Sequence, residues 1–174
     1  RTKKKILNGM QGLIKVILNL FSRKFLIKIS LILKPFFELI FRGNRFVDPI
    51  NNKSYSYFFP YGYNKLRKNA LSPGTLSLER HRLLWIFLEK ETDFFNTENK
   101  ILHIAPEQCF YKSFKKNFES YTTCDLNSPI AEIKADVCNL PFDENEFDFV
   151  LCNHVLEHVY DDEKAMKEIY RVLK

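Results

Sequence analysis

The chain has 174 residues, of which 45% are hydrophobic and 15% aromatic. This size allows one modest core with an appendage, and the aromatic share argues against a disordered chain. The net charge of +6 is uneven: residues 1–46 carry eleven Lys or Arg and one acid, Glu38, a net of +10, which leaves 16 bases and 20 acids, a net of −4, for the remainder. The basic character therefore belongs to an N-terminal arm.

Residues 1–46 are predicted to form this basic amphipathic helical arm, as two helices broken near Pro35. Lysines such as Lys15, Lys24 and Lys28 interrupt its apolar runs, so no stretch approaches the ~18–20 residues that span a bilayer. We favour an arm packed on its own domain. Contact with an anionic membrane surface, with the lysines snorkelling, is the alternative, and nucleic-acid binding is disfavoured.

Residues 47–76 are predicted to be a loop-rich connector between the arm and a domain covering residues 77–174. The connector combines turn residues such as Pro49, Gly62 and Pro73 with a cluster of aromatic side chains. No long run alternates strictly in hydropathy. Short strands and turns therefore fit it better than a helix.

From Ser77 onward, helices and strands alternate. The predicted helices start at Ser77, cover 106–118 and start at Asp161, and the predicted strands are 100–104, 121–124, 133–135 and 147–152. We expect Leu83, Leu84, Phe87 and Leu88 to be the buried stripe of the first helix, and Ala165, Met166, Ile169, Tyr170 and Leu173 that of the last. Such alternation implies parallel strands with right-handed crossovers. The predicted fold class is α/β, a Rossmann-like doubly wound parallel sheet of about four strands that is incomplete.

The four cysteines Cys109, Cys124, Cys138 and Cys152 include no C-x-x-C pair of the kind that binds zinc or forms a redox dithiol. We interpret them as small buried thiols in a reducing compartment, which favours a cytoplasmic protein, peripheral at the membrane if the arm binds lipid. No metal site is expected.

Polar residues follow each predicted strand. In a doubly wound sheet, ligands bind beyond the carboxyl ends of the strands. The residues at those ends are His103, Ala105 and Glu107 after the first strand, Asp125 and Leu126 after the second, Asp136 and Val137 after the third, and Asn153 and His154 after the fourth. Asp125 lies ~20 residues downstream of the first turn, and at this separation an acid can accept hydrogen bonds from ribose hydroxyls.

Three runs carry a family resemblance: ADVCNLPF at 135–142, FDFVLCNHVLEHV at 147–159 and EIYRVLK at 168–174. In order and spacing they resemble the class I S-adenosylmethionine-dependent methyltransferases of the type 11 group, over roughly residues 100–174. The resemblance implies S-adenosylmethionine as a small-molecule cofactor. It also implies that Asp125 holds the ribose hydroxyls, Asp136 the adenine amino group, Val137 the adenine ring face, and Asn153 the edge near the methionine moiety.

Two departures from that family pattern are visible. His103 stands where the family has an acid, and Ala105-Pro106-Glu107 replaces a glycine-rich turn that lets the backbone approach the cofactor closely. Helix amides after Pro106 could still face the methionine carboxylate. The chain also stops within a predicted helix, whereas the family continues with three more strands. We therefore expect a fragment of a longer protein in which the fourth strand is a bare sheet edge.

The connector resembles a zinc-knuckle-like module that has lost its ligands. Relatives are expected to carry two C-P-x-C pairs, and the corresponding runs here are DPIN at 48–51 and SPGT at 72–75. Asp, Asn, Ser and Thr do not make a structural zinc site. We predict a metal-free remnant held by aromatic packing.

The favoured function is methyl transfer to an unidentified acceptor by in-line displacement, with His154 as the candidate base if the acceptor must lose a proton. Other interpretations remain open for individual residues. Asp125 and Asp136 could be turn caps, and Glu157 and His158 fit a structural helix start better than an acid and a base. For the whole chain, the alternative is a catalytically inactive, methyltransferase-like binding module, associated with a membrane surface through residues 1–46. The absence of G-x-G-x-x-G disfavours a nicotinamide-dependent oxidoreductase.

Overall fold

The computed structural model describes residues 35–62 and 65–174. The prediction of two helices in the arm therefore falls mostly outside the described residues, of which 35–40 are helical. Within the described part of the chain, no helix has the length and apolarity needed to cross a bilayer.

Residues 42–71 form two antiparallel hairpins, which confirms the prediction of short strands and turns for the connector. The prediction of a helical arm up to residue 46 is wrong for residues 42–46, because they pair across the first hairpin. Strand β1 (Arg42–Asp48) pairs with β2 (Lys53–Tyr55), and β3 (Phe59–Tyr61) pairs with β4 (Arg67–Leu71). Ile50, in the turn between β1 and β2, is buried in the same core cluster as residues of the following domain. The boundaries predicted at residues 47 and 77 remain predictions.

The rest of the chain forms a four-stranded parallel sheet with helices on both faces, which confirms the predicted fold class. Its elements are α1 (Glu79–Glu91), β5 (Ile101–Ile104), α2 (Gln108–Asn117), β6 (Tyr121–Asp125), β7 (Ile133–Lys134), β8 (Phe149–Cys152), a 3₁₀ turn (Leu156–His158) and α3 (Asp162–Val172). The spatial order is β7-β6-β5-β8. This is the 3-2-1-4 order of a Rossmann-like doubly wound sheet, and β8 is an edge strand among the described strands.

Strand β5 shows why the sheet needs both layers of helices. All four of its residues are buried. Ile101 belongs to the core cluster that includes residues of α1 and α2, whereas Leu102 and Ile104 belong to the cluster that includes residues of α3. Because successive strand side chains point to opposite faces, a strand covered on both sides is apolar throughout. The single polar residue, His103, therefore lies inside the α1/α2 side with Ile101.

The predicted buried stripe of α1 is confirmed for Leu88, which is buried, and for Leu84, which is half-buried against the same core, but it is wrong for Leu83 and Phe87. The buried residues are His81, Trp85 and Leu88, whereas 70% of Leu83 and 52% of Phe87 are exposed. The helix is rotated because Trp85 stacks against Phe114 of α2, with ring centroids 5.6 Å apart. Burying a large aromatic side chain stabilises the fold more than burying a leucine at the same interface.

Ser77 is not the N-cap of α1, contrary to the prediction. The N-cap is Leu78, and its backbone N–H donates to Nδ1 of His81, at 3.1 Å. Ser77 is instead fully buried, and its hydroxyl lies 2.7 Å from the hydroxyl of Thr75. The imidazole at N3 thus accepts from the N-cap amide, the role that Glu or Gln has in a capping box.

Helix α3 begins as predicted, with the Asp161 carboxylate accepting the Lys164 N–H at 2.9 Å. Its buried face is narrower than predicted. Ala165 and Val172 are buried, but 50% of Met166 and 81% of Tyr170 are exposed. A helix that covers one edge of a small sheet buries only the stripe that contacts the strands, so the flanking apolar residues remain at the surface.

The two segments compared with a zinc knuckle meet around Asp48, which is fully buried. The Thr75 hydroxyl donates to Asp48 Oδ2, and the Ile50 N–H donates to Oδ1 at 3.0 Å. Asn51 donates from Nδ2 to the Tyr55 hydroxyl at 2.9 Å. Hydrogen bonds therefore join the segments in addition to ring contacts such as Tyr55 with Phe58, 5.9 Å between centroids. Among the described residues, no group of His, Cys, Asp or Glu could hold a metal ion.

All four cysteines are free. Cys124 of β6 is buried, and Cys109, Cys138 and Cys152 are half-buried. Burial raises the pKa of Cys124 to about 12 and that of Cys152 to about 11. These two thiols therefore stay protonated and unreactive at neutral pH.

Candidate functional site

A cavity of about 650 Å³ lies at the carboxyl ends of β5 and β6. Its sheet side includes Ala105, Glu107 and Asp125, and its connector side includes Leu71 and Leu76. Both sides follow from the topology, because the turns after parallel strands gather at one edge and the connector hairpins pack above that edge. Three of the predicted site residues are thus brought together.

Glu107 places a carboxylate on the cavity wall at the N-cap of α2. Its Oε2 lies 2.6 Å from Nε2 of His103, and Nδ1 of His103 lies 2.8 Å from the Tyr121 hydroxyl. Burial alone would raise the pKa of Glu107, but the hydrogen bond and charge of His103 outweigh burial and the pKa is lowered. Burial also raises the pKa of Tyr121, so this hydroxyl keeps its proton within hydrogen-bond distance of His103 Nδ1. Glu107 is therefore an oriented anion.

His103 is completely buried beneath the cavity wall and does not line the cavity. It holds Glu107 from below, while Asn153 at the end of β8 reaches the same carboxylate, with Nδ2 to Oε2 at 3.5 Å. Where the family pattern has an acid, this chain has His103, and the acid Glu107 four residues later accepts a hydrogen bond from it. His103 and Asn153 are positioning residues for Glu107.

Ala105 adopts the left-handed backbone conformation, with φ of +52°. This is the conformation that glycine adopts readily and that costs other L-residues roughly 1–2 kcal/mol. The turn after β5 thus contains a left-handed residue that is not a glycine. The Ala105 N–H is used within the sheet edge, donating to the Cys124 carbonyl at 2.9 Å.

Asp125 closes the turn after β6. Its Oδ1 accepts the backbone N–H groups of Asn127, at 2.6 Å, and of Ser128. Within the described residues no hydrogen bond reaches Oδ2, and Asp125 is one of the residues that line the cavity. The turn-cap interpretation is therefore correct for one oxygen, and the other is available to a ligand.

Leu126, Asp136 and Val137 do not line the cavity. Asp136 is exposed and caps its own turn by accepting the Cys138 N–H at 2.9 Å. Val137 is 6% exposed and packs in the α3-side core, whereas Leu126 is 49% exposed. The adenine-binding roles of Asp136 and Val137 and the cofactor-binding role of Leu126 remain predictions.

His154 follows β8, with a left-handed φ of +55° and an exposed side chain. Its Nδ1 lies 3.2 Å from Oε1 of Glu157. It does not line the cavity, although the preceding residue, Asn153, contacts Glu107. The 3₁₀ turn that follows contains both Glu157 and His158, in keeping with the structural interpretation of that pair.

The polar cavity residues that sequence reasoning missed include Arg80, His81 and Gln108. His81 is buried, and this burial lowers its pKa to about 4. His81 Nε2 and Gln108 Nε2 are buried without a hydrogen-bond partner. Nothing in the sequence distinguishes them from ordinary first-turn residues, because their importance comes from packing between α1 and α2.

A family model described as a methyltransferase domain matches residues 98–174. Among curated proteins, the chain is 47% identical over 45 residues to a 2-phytyl-1,4-naphtoquinone methyltransferase of Nostoc punctiforme, covering 26% of this chain and 20% of that protein. It is 52% identical over 42 residues to a chloroplastic 2-phytyl-1,4-beta-naphthoquinone methyltransferase of Arabidopsis thaliana, covering 24% and 16%. The alignments therefore span a fifth or less of these relatives.

Among solved structures, the YcgJ protein of Bacillus subtilis aligns with a TM-score of 0.45 and 22% identity, over 55% of this chain and 47% of that chain. The fold assignment itself comes from the strand order and the helices on both faces. The segment from residue 98 to residue 174, which contains the sheet and its cavity edge, is thus the part of the chain that matches the methyltransferase-domain family.

Proposed function

We propose that the protein transfers a methyl group from S-adenosylmethionine to an acceptor. The observation that carries the proposal is the pair of carboxylates, Glu107 and Asp125, on the wall of one cavity at the carboxyl ends of neighbouring parallel strands. An oriented anion at Glu107 suits a cationic cofactor, and the unused Oδ2 of Asp125 suits ribose hydroxyls. The methyltransferase-domain match over this segment supports the same function.

The bound cofactor supplies a methyl group on a positively charged sulfur. In the proposed arrangement Glu107, held by His103 and Asn153, stabilises the cationic end. Asp125 orients the ribose, and the cavity excludes water from the reacting atoms. The family resemblance assigns Asp136 and Val137 to adenine, and Leu126 is a further candidate for cofactor binding; all three lie outside the cavity lining.

His154 is proposed as the base that removes a proton from the acceptor. Its exposed side chain is accessible to an acceptor that enters from solvent beside Asn153. We expect His154→Gln to reduce kcat at least about tenfold without weakening cofactor binding. His158→Gln is the matched control, since His158 is an exposed histidine of the 3₁₀ turn that follows His154.

Calorimetry with S-adenosylmethionine tests the cofactor assignment. We expect a dissociation constant between about 1 µM and 1 mM for the natural chain and a loss of about tenfold or more in Glu107→Gln, which keeps the shape but removes the charge. Glu119→Gln, an exposed acid outside the cavity lining, is the matched control. No binding of the cofactor at millimolar concentration would contradict the proposal.

The second candidate is an inactive, methyltransferase-like binding module. The left-handed Ala105 favours it, because a side chain stands where a glycine would let the cofactor approach the backbone. This candidate predicts cofactor binding without formation of S-adenosylhomocysteine in the presence of any quinol, carboxylate or amine acceptor. Product formation would exclude it.

We also propose a reducing, cytoplasmic location, which suits the four free thiols. We further propose association with an anionic membrane surface through residues 1–46. Flotation with vesicles containing an anionic lipid tests this association. We expect binding that weakens with salt and disappears when residues 1–34 are deleted. Flotation that survives the deletion would remove this role from the arm.

A further inference from the structure

We propose that the connector side of the cavity binds the methyl acceptor, and that this acceptor is an uncharged, apolar molecule that contacts Leu76. The inference deepens the proposed function, on which it rests for the identity of the ligand as a methyl acceptor. It names a substrate class that the methyltransferase-domain match leaves open.

The cavity has an aliphatic wall in addition to its carboxylates. The aliphatic residues of this wall are Leu71 and Leu76 of the connector, Leu78 at the N-cap of α1, and Ile130 in the loop after β6. None of the four belongs to either core cluster of the described domain. An apolar ligand that covers such side chains removes their surface from water, which favours its binding.

Leu76 adopts the left-handed backbone conformation, with φ of +60°. This conformation is unfavourable for a bulky residue and suits glycine or asparagine. The turn is closed by backbone bonds, from the Leu76 N–H to the Ser72 carbonyl at 3.0 Å and from the Ser72 N–H to the Ser77 carbonyl at 2.9 Å. Because neither bond needs the leucine side chain, the turn itself does not explain a leucine here.

A ligand does explain it. Leu76 is half-buried, lines the cavity and belongs to neither core cluster, so its side chain is left for contact with a bound molecule. Strained residues of this kind are typical of ligand-binding sites, where the contact with the ligand justifies the conformational cost.

The distribution of charge separates the two sides of the cavity. The charged side chains of the lining are Arg80 of α1, Glu107 at the N-cap of α2 and Asp125 at the end of β6. Within the described lining, the connector contributes no Lys, Arg, Asp or Glu. A charged group placed against the connector would lose its hydration without gaining a partner. In the proposed arrangement the cofactor takes Glu107 and Asp125, which leaves the uncharged side to the acceptor.

The test uses N-phenyl-1-naphthylamine, an uncharged apolar dye whose fluorescence rises when it leaves water. The dye is titrated into the natural chain, Leu76→Asn and Leu39→Asn, with and without saturating S-adenosylhomocysteine. Asparagine tolerates the left-handed conformation, so Leu76→Asn keeps the turn and removes the apolar contact. Leu39→Asn is the matched control, the same exchange at a residue that is 71% exposed and outside this cavity.

We expect Leu76→Asn to weaken dye binding about tenfold without lowering the temperature of thermal unfolding, whereas Leu39→Asn stays within about twofold of the natural chain. The dye should remain bound in the presence of S-adenosylhomocysteine. As competitors of the dye, 1-naphthalenemethanol should act at a concentration at least about tenfold lower than 1-naphthoate, which carries a charge.

The inference is overturned if Leu76→Asn binds the dye as the natural chain does, if Leu39→Asn weakens it equally, or if 1-naphthoate competes as well as the alcohol. Displacement of the dye by S-adenosylhomocysteine would also overturn it, because the wall would then belong to the cofactor. A lower unfolding temperature in Leu76→Asn would assign the leucine to the fold instead. Should the natural chain bind no S-adenosylhomocysteine or S-adenosylmethionine, the proposed function fails, and dye titration of the free protein alone decides whether the apolar site exists.

Discussion

Ala105 is the residue of the cavity turn that carries a conformational cost. Its φ of +52° is accessible to glycine without the clash that involves Cβ. We expect Ala105→Gly to raise the free energy of unfolding by about 1 kcal/mol, because the relief of this clash exceeds the added chain entropy of glycine. Urea denaturation followed by circular dichroism measures the change.

Ala131→Gly is the matched control for that variant. Ala131 lies in the loop before β7 and has no positive φ. Glycine there adds entropy to the unfolded chain without relieving a clash, so we expect a loss of about 0.5–1 kcal/mol. A destabilisation of the same size in Ala105→Gly would show that the left-handed turn carries no such cost.

The sequence could locate the site residues but not orient all of their side chains. Parallel strand ends meet at one edge, and this rule alone identified Ala105, Glu107 and Asp125. His103 was assigned to the cofactor, yet the alternation of β5 places it on the buried α1/α2 side. His81 was beyond sequence reasoning, since its unpartnered Nε2 results from the packing of α1 against α2.

At the scale of elements, helix α3 is tied to the loop after β7 by a polar clamp. Glu168 accepts the Leu140 N–H at 2.8 Å and pairs with Arg171, which donates to the carbonyls of Leu140 and Phe142. The hydrogen bond and charge of Arg171, joined by the Leu140 N–H, lower the pKa of Glu168 to about 2. The clamp therefore depends on an ionised carboxylate.

We expect Glu168→Gln to make the stability of the protein less sensitive to acid. A carboxyl group with a lowered pKa stabilises the fold fully above its unfolded value near 4.5, and this stabilisation is lost as the pH falls toward about 2. The variant should lose about 1 kcal/mol at pH 7, after allowance for solvent screening, and show a flatter stability profile below pH 4.5. Urea midpoints measured across this pH range provide the test.

Glu163→Gln provides the control for the clamp. Glu163 pairs with Lys167 on the same helix, but both side chains are more than two-thirds exposed, at 74% and 71%. An exposed pair of this kind contributes little, so the control should retain the acid sensitivity of the natural chain. Equal flattening of the two profiles would rule out a specific effect of the clamp.

The elements themselves were more predictable than their faces. The strands of the sheet and the start of α3 follow from alternation and from the acids at Asp161 and after it. The buried face of α1 did not follow from the sequence, because Trp85 stacks against Phe114, which belongs to another helix. Hydrophobic periodicity identifies an amphipathic helix, but several neighbouring stripes remain possible until its aromatic contacts are known.

At the scale of the whole molecule, the connector and the sheet domain are joined by the buried cluster around Asp48. Thr75 donates to Asp48, and Arg82 of α1 donates to the Ser77 carbonyl at 2.7 Å and to the Ala70 carbonyl at 3.0 Å. These bonds fix the segment 71–78, which includes the cavity residues Leu71, Leu76 and Leu78. The connector thus positions one side of the cavity, a relation that the resemblance to a zinc module did not predict.

Thr75→Val tests this coupling, since valine has the shape of threonine without the hydroxyl. We expect a loss of about 2–3 kcal/mol, because the buried Asp48 carboxylate would lose a hydrogen bond, together with weaker cofactor binding from displacement of the segment 71–78. Thermal unfolding and calorimetry with S-adenosylmethionine measure the two effects. Thr122→Val in the half-buried part of β6 is the matched control, and we expect it to stay within about 0.5 kcal/mol of the natural chain. If Thr75→Val destabilised the fold but left cofactor affinity unchanged, the connector would stabilise the domain without shaping its cavity.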